Sequence, residues 1–288
     1  EDLAAWLPDE IVARWQIAKP SIVGFQAIVD TGGPDGLTTA GLAEMRMGAG
    51  RLLLCQLEAI GRLNLDPAAT RLVRNLLAYA AGSADPAAAV GVLCDDVVAE
   101  RLDAGGVAYE RLSEPFPCSG LRRFGVLVLG GLPAEPRVLA RVAAFVQEGG
   151  RVLLHGLKPE NLATIQGLLG RALVLGRLAQ GAVALTDRTG PARGLSNEDF
   201  AWFLRDRGDA LPLLSAGIAD YTVAAPAASH TDPPLLVSVA SGRGLWVVDQ
   251  IQWERGGENE AKAHRYLATV LTNLGCSGRQ VVGQPIDK

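Results

Sequence analysis

The chain has 288 residues, of which 49% are hydrophobic and 20% charged, with a formal net charge of −4. That composition can bury a normal core and excludes a disordered chain. There is no basic patch of the kind a nucleic-acid surface needs, and no apolar run approaches the roughly 20 residues that span a bilayer. Neither nucleic acid nor membrane is therefore an expected partner.

The first residues, EDLAAWLPDE, have neither the basic nor the apolar segment of a signal peptide. The chain opens on Glu1 rather than Met, so it is expected to start inside a longer polypeptide. Four cysteines, Cys55, Cys94, Cys118 and Cys276, are too few for a disulfide scaffold and leave the cellular compartment open. They form no CxxC or Cys/His cluster, so no metal and no cofactor is expected. Cys55 (RLLLCQL) and Cys94 (VGVLCDD) end apolar runs and are expected to be small buried hydrophobes.

An internal repeat organises the chain. MGAGRLLLCQLEAIGRLNLDPAATRLVRNLLAYA, near the N-terminus, passes from a Gly-x-Gly turn through an apolar strand, a Gln and a loop to an amphipathic helix. SGRGLWVVDQIQWERGGENEAKAHRYLATVLTNLG, near the C-terminus, does the same. Gln56 aligns with Gln250 and Asn75 with Asn273, with a longer loop in the second copy around Glu254 to Gly257. The copies also begin alike, Glu1-Asp2-Leu3 and Trp6 against Glu198-Asp199-Phe200 and Trp202. The GGPDG segment at 32–36 reads as a turn, not a phosphate loop.

Residues 88–175 alternate strand and helix. AAVGVLC (88–94) suits a buried parallel strand. DDVVAERLDAGG follows as a helix, with Asp95 or Asp96 near its N-cap and two glycines at its end. VAYERL is a short second strand and FGVLVLGG (124–131) a third. PAEPRVLARVAAFVQEGG is a helix with Pro near its start and Gly at its end. RVLLHG (151–156) is a fourth strand, and PENLATIQGLLG another helix. This rhythm predicts a doubly wound, mostly parallel sheet, with 88–94, 124–129 and 151–155 as adjacent central strands. The repeat has no such material before its first copy. The expected organisation is therefore the C-terminal half of a first unit at 1–81, a small-residue linker at 81–89, a complete unit at 87–276 and a frayed tail at 277–288.

GVLCDDVVAERLDAGGVAYERL, FGVLVLGG and VAAFVQEGGRVLLHGLKPE together resemble the amidotransferase-like domains found within many glycoside hydrolases, of β-galactosidase and family 2 type. The resemblance covers most of the chain. It implies a flavodoxin-like α/β fold of the class I glutamine amidotransferase kind, in tandem, the first copy truncated. It further implies an accessory role beside a catalytic domain of the same polypeptide.

A working amidotransferase needs a Cys on a strained turn after a central strand, with a His and an acid nearby. Here that strand ends in His155-Gly156-Leu157, without Cys or Ser, and no Gly-x-Cys-x-Gly or Gly-x-Ser-x-Gly motif occurs. No catalytic residue is assigned. His155 is weighed as a hydrogen-bonded structural histidine against a sugar-contacting or metal-binding one. Asp95 and Asp96 lie at a strand's carboxyl end, where open α/β sheets bind ligands, with helix capping as the alternative. Gln250, at a strand end, can bond loop backbone or a sugar hydroxyl. Trp253 is the aromatic best placed for a sugar platform, against packing at a domain junction. Asp95, Asp96, His155, Gln250 and Trp253 are thus the candidate ligand contacts.

The leading expectation is a non-catalytic region of a glycoside hydrolase that supports domain packing, oligomerisation or carbohydrate contact. Two alternatives stay open: a small amidotransferase-like hydrolase with a site near His155 and Asp95, and a stand-alone carbohydrate-binding module.

Overall fold

The computed structural model describes residues 12–13, 15–33, 36–47, 50–82, 88–113, 118–178, 183–202, 218–224, 228–256 and 259–278. The similarity between the openings of the two repeats, at Glu1 to Trp6, and most of the tail lie outside these. The chain divides into two compact units, Glu1–Pro20 with Gly24–Ala87, and Ser21–Val23 with Ala88–Lys288.

The first unit is an antiparallel sheet and a helix. β1 (Ile17–Ala18) and β2 (Phe25–Gly33) both pair with β3 (Gly36–Met47), which also pairs with β4 (Gly50–Cys55). The helix α1 (Pro67–Ala81) opens on Asp66, whose Oδ1 accepts from Ala68 N at 2.7 Å, with Pro67 at its first position. Leu42, Leu57, Ala59 and Ala69 form its small core. Only the strand and helix of the repeat are legible in the sequence of this unit. β2 and β3 carry Asp30, Thr31, Thr38 and Thr39 among their apolar residues, which blurs the alternation that marks a strand.

The second unit is built on a seven-stranded sheet. β5 (Val90–Leu93), α2 (Asp96–Ala104), β6 (Tyr109–Arg111), β7 (Val126–Leu129), α3 (Pro136–Gln147), β8 (Arg151–His155) and α4 (Leu162–Leu169) come first. β9 (Val174–Arg177), β10 (Ala184–Leu185), β11 (Tyr221–Ala224), β12 (Ala228–Ser229) and β13 (Thr231–Asp232) are short. β14 (Leu236–Ser241), β15 (Gly244–Asp249) and α5 (Glu260–Asn273) close the unit. The main sheet runs β12-β14-β15-β8-β7-β5-β6. From β15 to β6 every pairing is parallel, and β14 and β12 add antiparallel strands at one side. The parallel strands thus lie in the order second, first, third, fourth, fifth along the chain, the order of flavodoxin-like sheets. β5, β7 and β8 are neighbours, as their apolar runs require: each is buried on both faces.

Alternate residues of these strands feed two cores. Val126 and Val128 of β7 join one cluster with Val98 and Leu102 of α2 and Tyr266, Leu267 and Leu271 of α5. Leu127 and Leu129 join another with Val138 and Val142 of α3 and Ile165 of α4. The period of two along the strand and 3.6 along the helices is what divides the apolar residues between the faces.

The two hairpins of the repeat share one register. Met47 faces Gly50 as Ser241 faces Gly244, and Leu42 faces Cys55 as Leu236 faces Asp249. Past the strand, Gln56 N donates to Gly41 O at 2.8 Å, and Gln250 N to Leu235 O at 2.8 Å. In the second hairpin Gly242 sits at φ +59, a left-handed value that favours glycine, and a Cβ on Gly244 would lie 2.1 Å from Val146 O. The surroundings of the two hairpins differ. β15 is paired on its far side by β8, whereas β4 pairs only with β3 among the described strands. Cys55 is exposed, against the expectation of a buried thiol: it ends β4 outside the small core of Leu42, Leu57, Ala59 and Ala69. Cys94 is partly buried, and burial pushes its thiol up to about 11, so it stays protonated at neutral pH.

Candidate functional site

The carboxyl ends of β8 and β15 bring together residues from four parts of the second unit. β8 ends on His155, and β15 beside it ends on Asp249. A short helical turn, Trp253–Arg255, follows β15, and α5 returns along the sheet carrying Tyr266. Asp249 is the hub. Its Oδ2 accepts from Trp253 Nε1 at 2.6 Å and lies 3.3 Å from His155 Nδ1. Its Oδ1 accepts from the Tyr266 hydroxyl at 2.8 Å and from Ile251 N at 3.0 Å. A carboxylate that is fully buried, as this one is, is tolerable only with such a set of donors.

His155 is held on both nitrogens. Nε2 lies 3.0 Å from Glu254 Oε2, and the ring packs on Trp253 with centroids 4.2 Å apart. Burial lowers the affinity of the imidazole for its second proton, but hydrogen bonds and charge from Asp249 and Glu254 outweigh it and raise the pKa to about 9. At neutral pH His155 is therefore an imidazolium donating to two carboxylates. Burial and Asp249 together push the Tyr266 phenol well above its ordinary value, which keeps it a donor.

The turn after β8 is where the amidotransferase pattern requires a nucleophile. Gly156 occupies it at φ +67, in the left-handed region, and its N–H donates to Asp249 O at 2.9 Å. Nothing lies within 4 Å of where a Cβ would stand. The next residue is clamped by Gln250, whose Oε1 accepts from Leu157 N at 2.7 Å and whose Nε2 donates to Leu157 O at 2.9 Å.

A hollow of about 310 Å³ opens over this end of the sheet, lined by Gly156, Lys158, Glu160, Tyr221, Glu254 and Arg255 among others. Glu254 is the member of the network that reaches it, and His155 stands behind Glu254. A larger hollow of about 410 Å³, lined by Arg122, Phe124, Phe145 and Glu148, borders Gly125 and Gly150 at the amino ends of β7 and β8. Open α/β sheets bind ligands at the carboxyl end, so the smaller hollow is the candidate.

The structure thus brings three of the five sequence candidates, His155, Gln250 and Trp253, into one neighbourhood. Trp253 is 1% exposed. Its indole stacks inside on His155, so it is not the open platform that sugar stacking needs; the short turn after β15 folds the ring inward to reach Asp249. Gln250, 4% exposed, spends its amide on Leu157 backbone. Asp95 caps α2, accepting from Val98 N at 2.9 Å. Asp96 is exposed and pairs with Arg111 at 2.6 Å. The partners of His155 are Asp249 and Glu254. Sequence reading passed over both, together with Tyr266. Asp249 had one signal, an acid closing the apolar run GLWVVD where the first copy has Cys55.

No family model matches the chain, and no curated protein matches it. Solved structures do show similarity. One is a cytoplasmic protein from Salmonella typhimurium LT2, at 14% identity over 64% of this chain and 88% of that one, TM-score 0.45. Another is a GMP synthase component from Thermoplasma acidophilum, at 12% identity over 65% of this chain and 96% of that one, TM-score 0.40. A third is a β-galactosidase from Bacillus circulans sp. alkalophilus, at 14% identity over 73% of this chain and TM-score 0.41, of which this chain spans 35%.

Proposed function

We propose that this chain is a non-catalytic accessory region of a larger glycoside hydrolase. In this reading the second unit is a doubly wound, amidotransferase-like domain. The first is the C-terminal half of a similar unit, and a catalytic domain of the same polypeptide is the partner. The sequence resemblance supports the family. The observation that carries the loss of amidotransferase chemistry is Gly156, which supplies no side chain at the left-handed turn where a nucleophile is required. The imidazole beside it is spent on a buried ionic network rather than left free as a base.

A second role, contact with carbohydrate, is favoured by the hollow above Glu254. Tyr221, Lys158, Glu160 and Arg255 offer donors and acceptors there of the kind that hydroxyl groups use. The purified chain is expected to hydrolyse neither glutamine nor common glycosides. Robust turnover that vanishes in His155→Ala would overturn the reading and restore a small amidotransferase-like hydrolase.

A further inference from the structure

Away from the His155 network, three side chains of the second unit line up as nucleophile, imidazole and carboxylate. His230, between β12 and β13, is 2% exposed. Its Nε2 lies 2.7 Å from Ser238 Oγ on β14, and its Nδ1 lies 3.1 Å from Asp187 Oδ2, just past β10. A proton on Nδ1, facing the carboxylate, leaves Nε2 to accept from the serine, which is the tautomer a general base requires. Nδ1 is close to Asp187 Oδ2 but makes no well-aligned hydrogen bond among the described residues; catalytic hydrogen bonds often tighten only when substrate binds.

The surroundings hold this geometry from several sides. His230 O accepts from Thr186 N at 3.0 Å and from Asp187 N at 3.3 Å, and His230 N donates to Leu236 O at 2.9 Å. Asp187 accepts from Thr189 N at 2.9 Å and Thr189 Oγ1 at 3.0 Å. These two bonds from Thr189 hold its carboxyl below the usual range and hence ionised. Ser238 lies on β14, which pairs with β12; His230 joins β12 to β13, and Asp187 lies in the loop just past β10, which pairs with β13. Ser238 itself is only partly buried.

Beyond the accessory reading, which concerns only amidotransferase and glycoside chemistry, we propose that Ser238 is an acylatable nucleophile, with His230 as its base and Asp187 as the residue that positions the base, acting on small acyl esters. The site is separate from the turn after β8. Ser238 Oγ bonds to the acyl carbon while its proton passes to His230 Nε2. The bond from that carbon to the leaving oxygen breaks, and the leaving group takes the proton from His230. Water then repeats the sequence, releasing the acid and restoring Ser238. Ser238 stands inside a sheet, opposite Val247 of β15, so the acyl group must be small. An ester of an acidic phenol, whose leaving group departs readily, is the suitable probe.

The test uses the full chain with p-nitrophenyl acetate, and separately a fluorophosphonate probe with peptide mass mapping. Turnover and a phosphonyl adduct on Ser238 are expected. Ser238→Ala should abolish both, and Asp187→Asn should lower the rate by roughly 10²–10⁴-fold with an unchanged unfolding midpoint. Absence of an adduct on Ser238, or turnover that survives Ser238→Ala, overturns the proposal. Should Ser238→Ala not fold, undiminished turnover in Asp187→Asn overturns it equally, because Asp187 is a partly exposed loop residue.

Discussion

Gln250 makes both backbone hydrogen bonds of Leu157, accepting from its N–H at 2.7 Å and donating to its carbonyl at 2.9 Å. One side chain thereby stands in for the next rung of a strand at the point where β8 has ended. Replacing Gln250 by Ala leaves a buried donor and a buried acceptor without partners, each costing about 1–3 kcal/mol. Chemical denaturation should show a loss of about 2–6 kcal/mol. The aligned Gln56 is exposed, and Gln56→Ala should change stability by less than about 0.5 kcal/mol. Equal effects at the two positions would show that the clamp contributes nothing specific.

His155 sets a pH dependence. Its folded pKa of about 9 lies above the ordinary 6.5, so the folded state binds the proton more tightly than the unfolded chain. The stabilisation is fully present below about pH 6.5 and is lost as pH rises through about 9, to an extent of about 3 kcal/mol. Denaturation midpoints measured from pH 6 to 10 should fall across that window. In His155→Gln the fall should be much smaller, and an unchanged slope would assign the effect to other groups.

Asp249→Asn tests the hub directly. The amide keeps the shape but leaves the imidazolium with Glu254 as its only carboxylate, and presents an NH₂ toward one of the donors Asp249 now accepts from. Breaking a buried pair in this way costs about 3–5 kcal/mol. The imidazole resonances of His155 should then titrate at lower pH than in the native protein. A variant as stable as the native chain would refute the reading of the cluster as an ionic network.

The edge of β4 tests the proposed half unit. Leu52 is 42% exposed, whereas its aligned partner Trp246 is 1% exposed, in the core that includes Val138 and Val142 of α3. Amides of Leu52–Gln56 should exchange with deuterium faster than those of Val126–Leu129, because a strand paired on one side opens more readily than one paired on both. Equal protection would show that the first unit is as stable as the second and that β4 needs no further strand.

The sequence by itself determined the elements that local chemistry governs. Short apolar runs such as VGVL, VLVL and RVLLH, bounded by turn residues, read as buried strands. Caps such as Asp66 and Asp95 start helices by satisfying their own backbone donors. The repeat was also legible, because the Gly-x-Gly turn, the strand and the Gln that follows it lie close together along the chain. Only the tertiary structure decided the rest. Asp249 and His155 are 94 residues apart, and Tyr266 and Asp249 belong to different elements; no spacing in the sequence signals that β15 inserts beside β8 and joins them. The same holds for Asp187, His230 and Ser238, brought together by pairings between short strands. Trp253 shows the physical reason most clearly: its composition fits a sugar platform and a core residue equally, and the choice is made by a hydrogen bond to a carboxylate that the chain supplies four residues earlier and the fold turns inward.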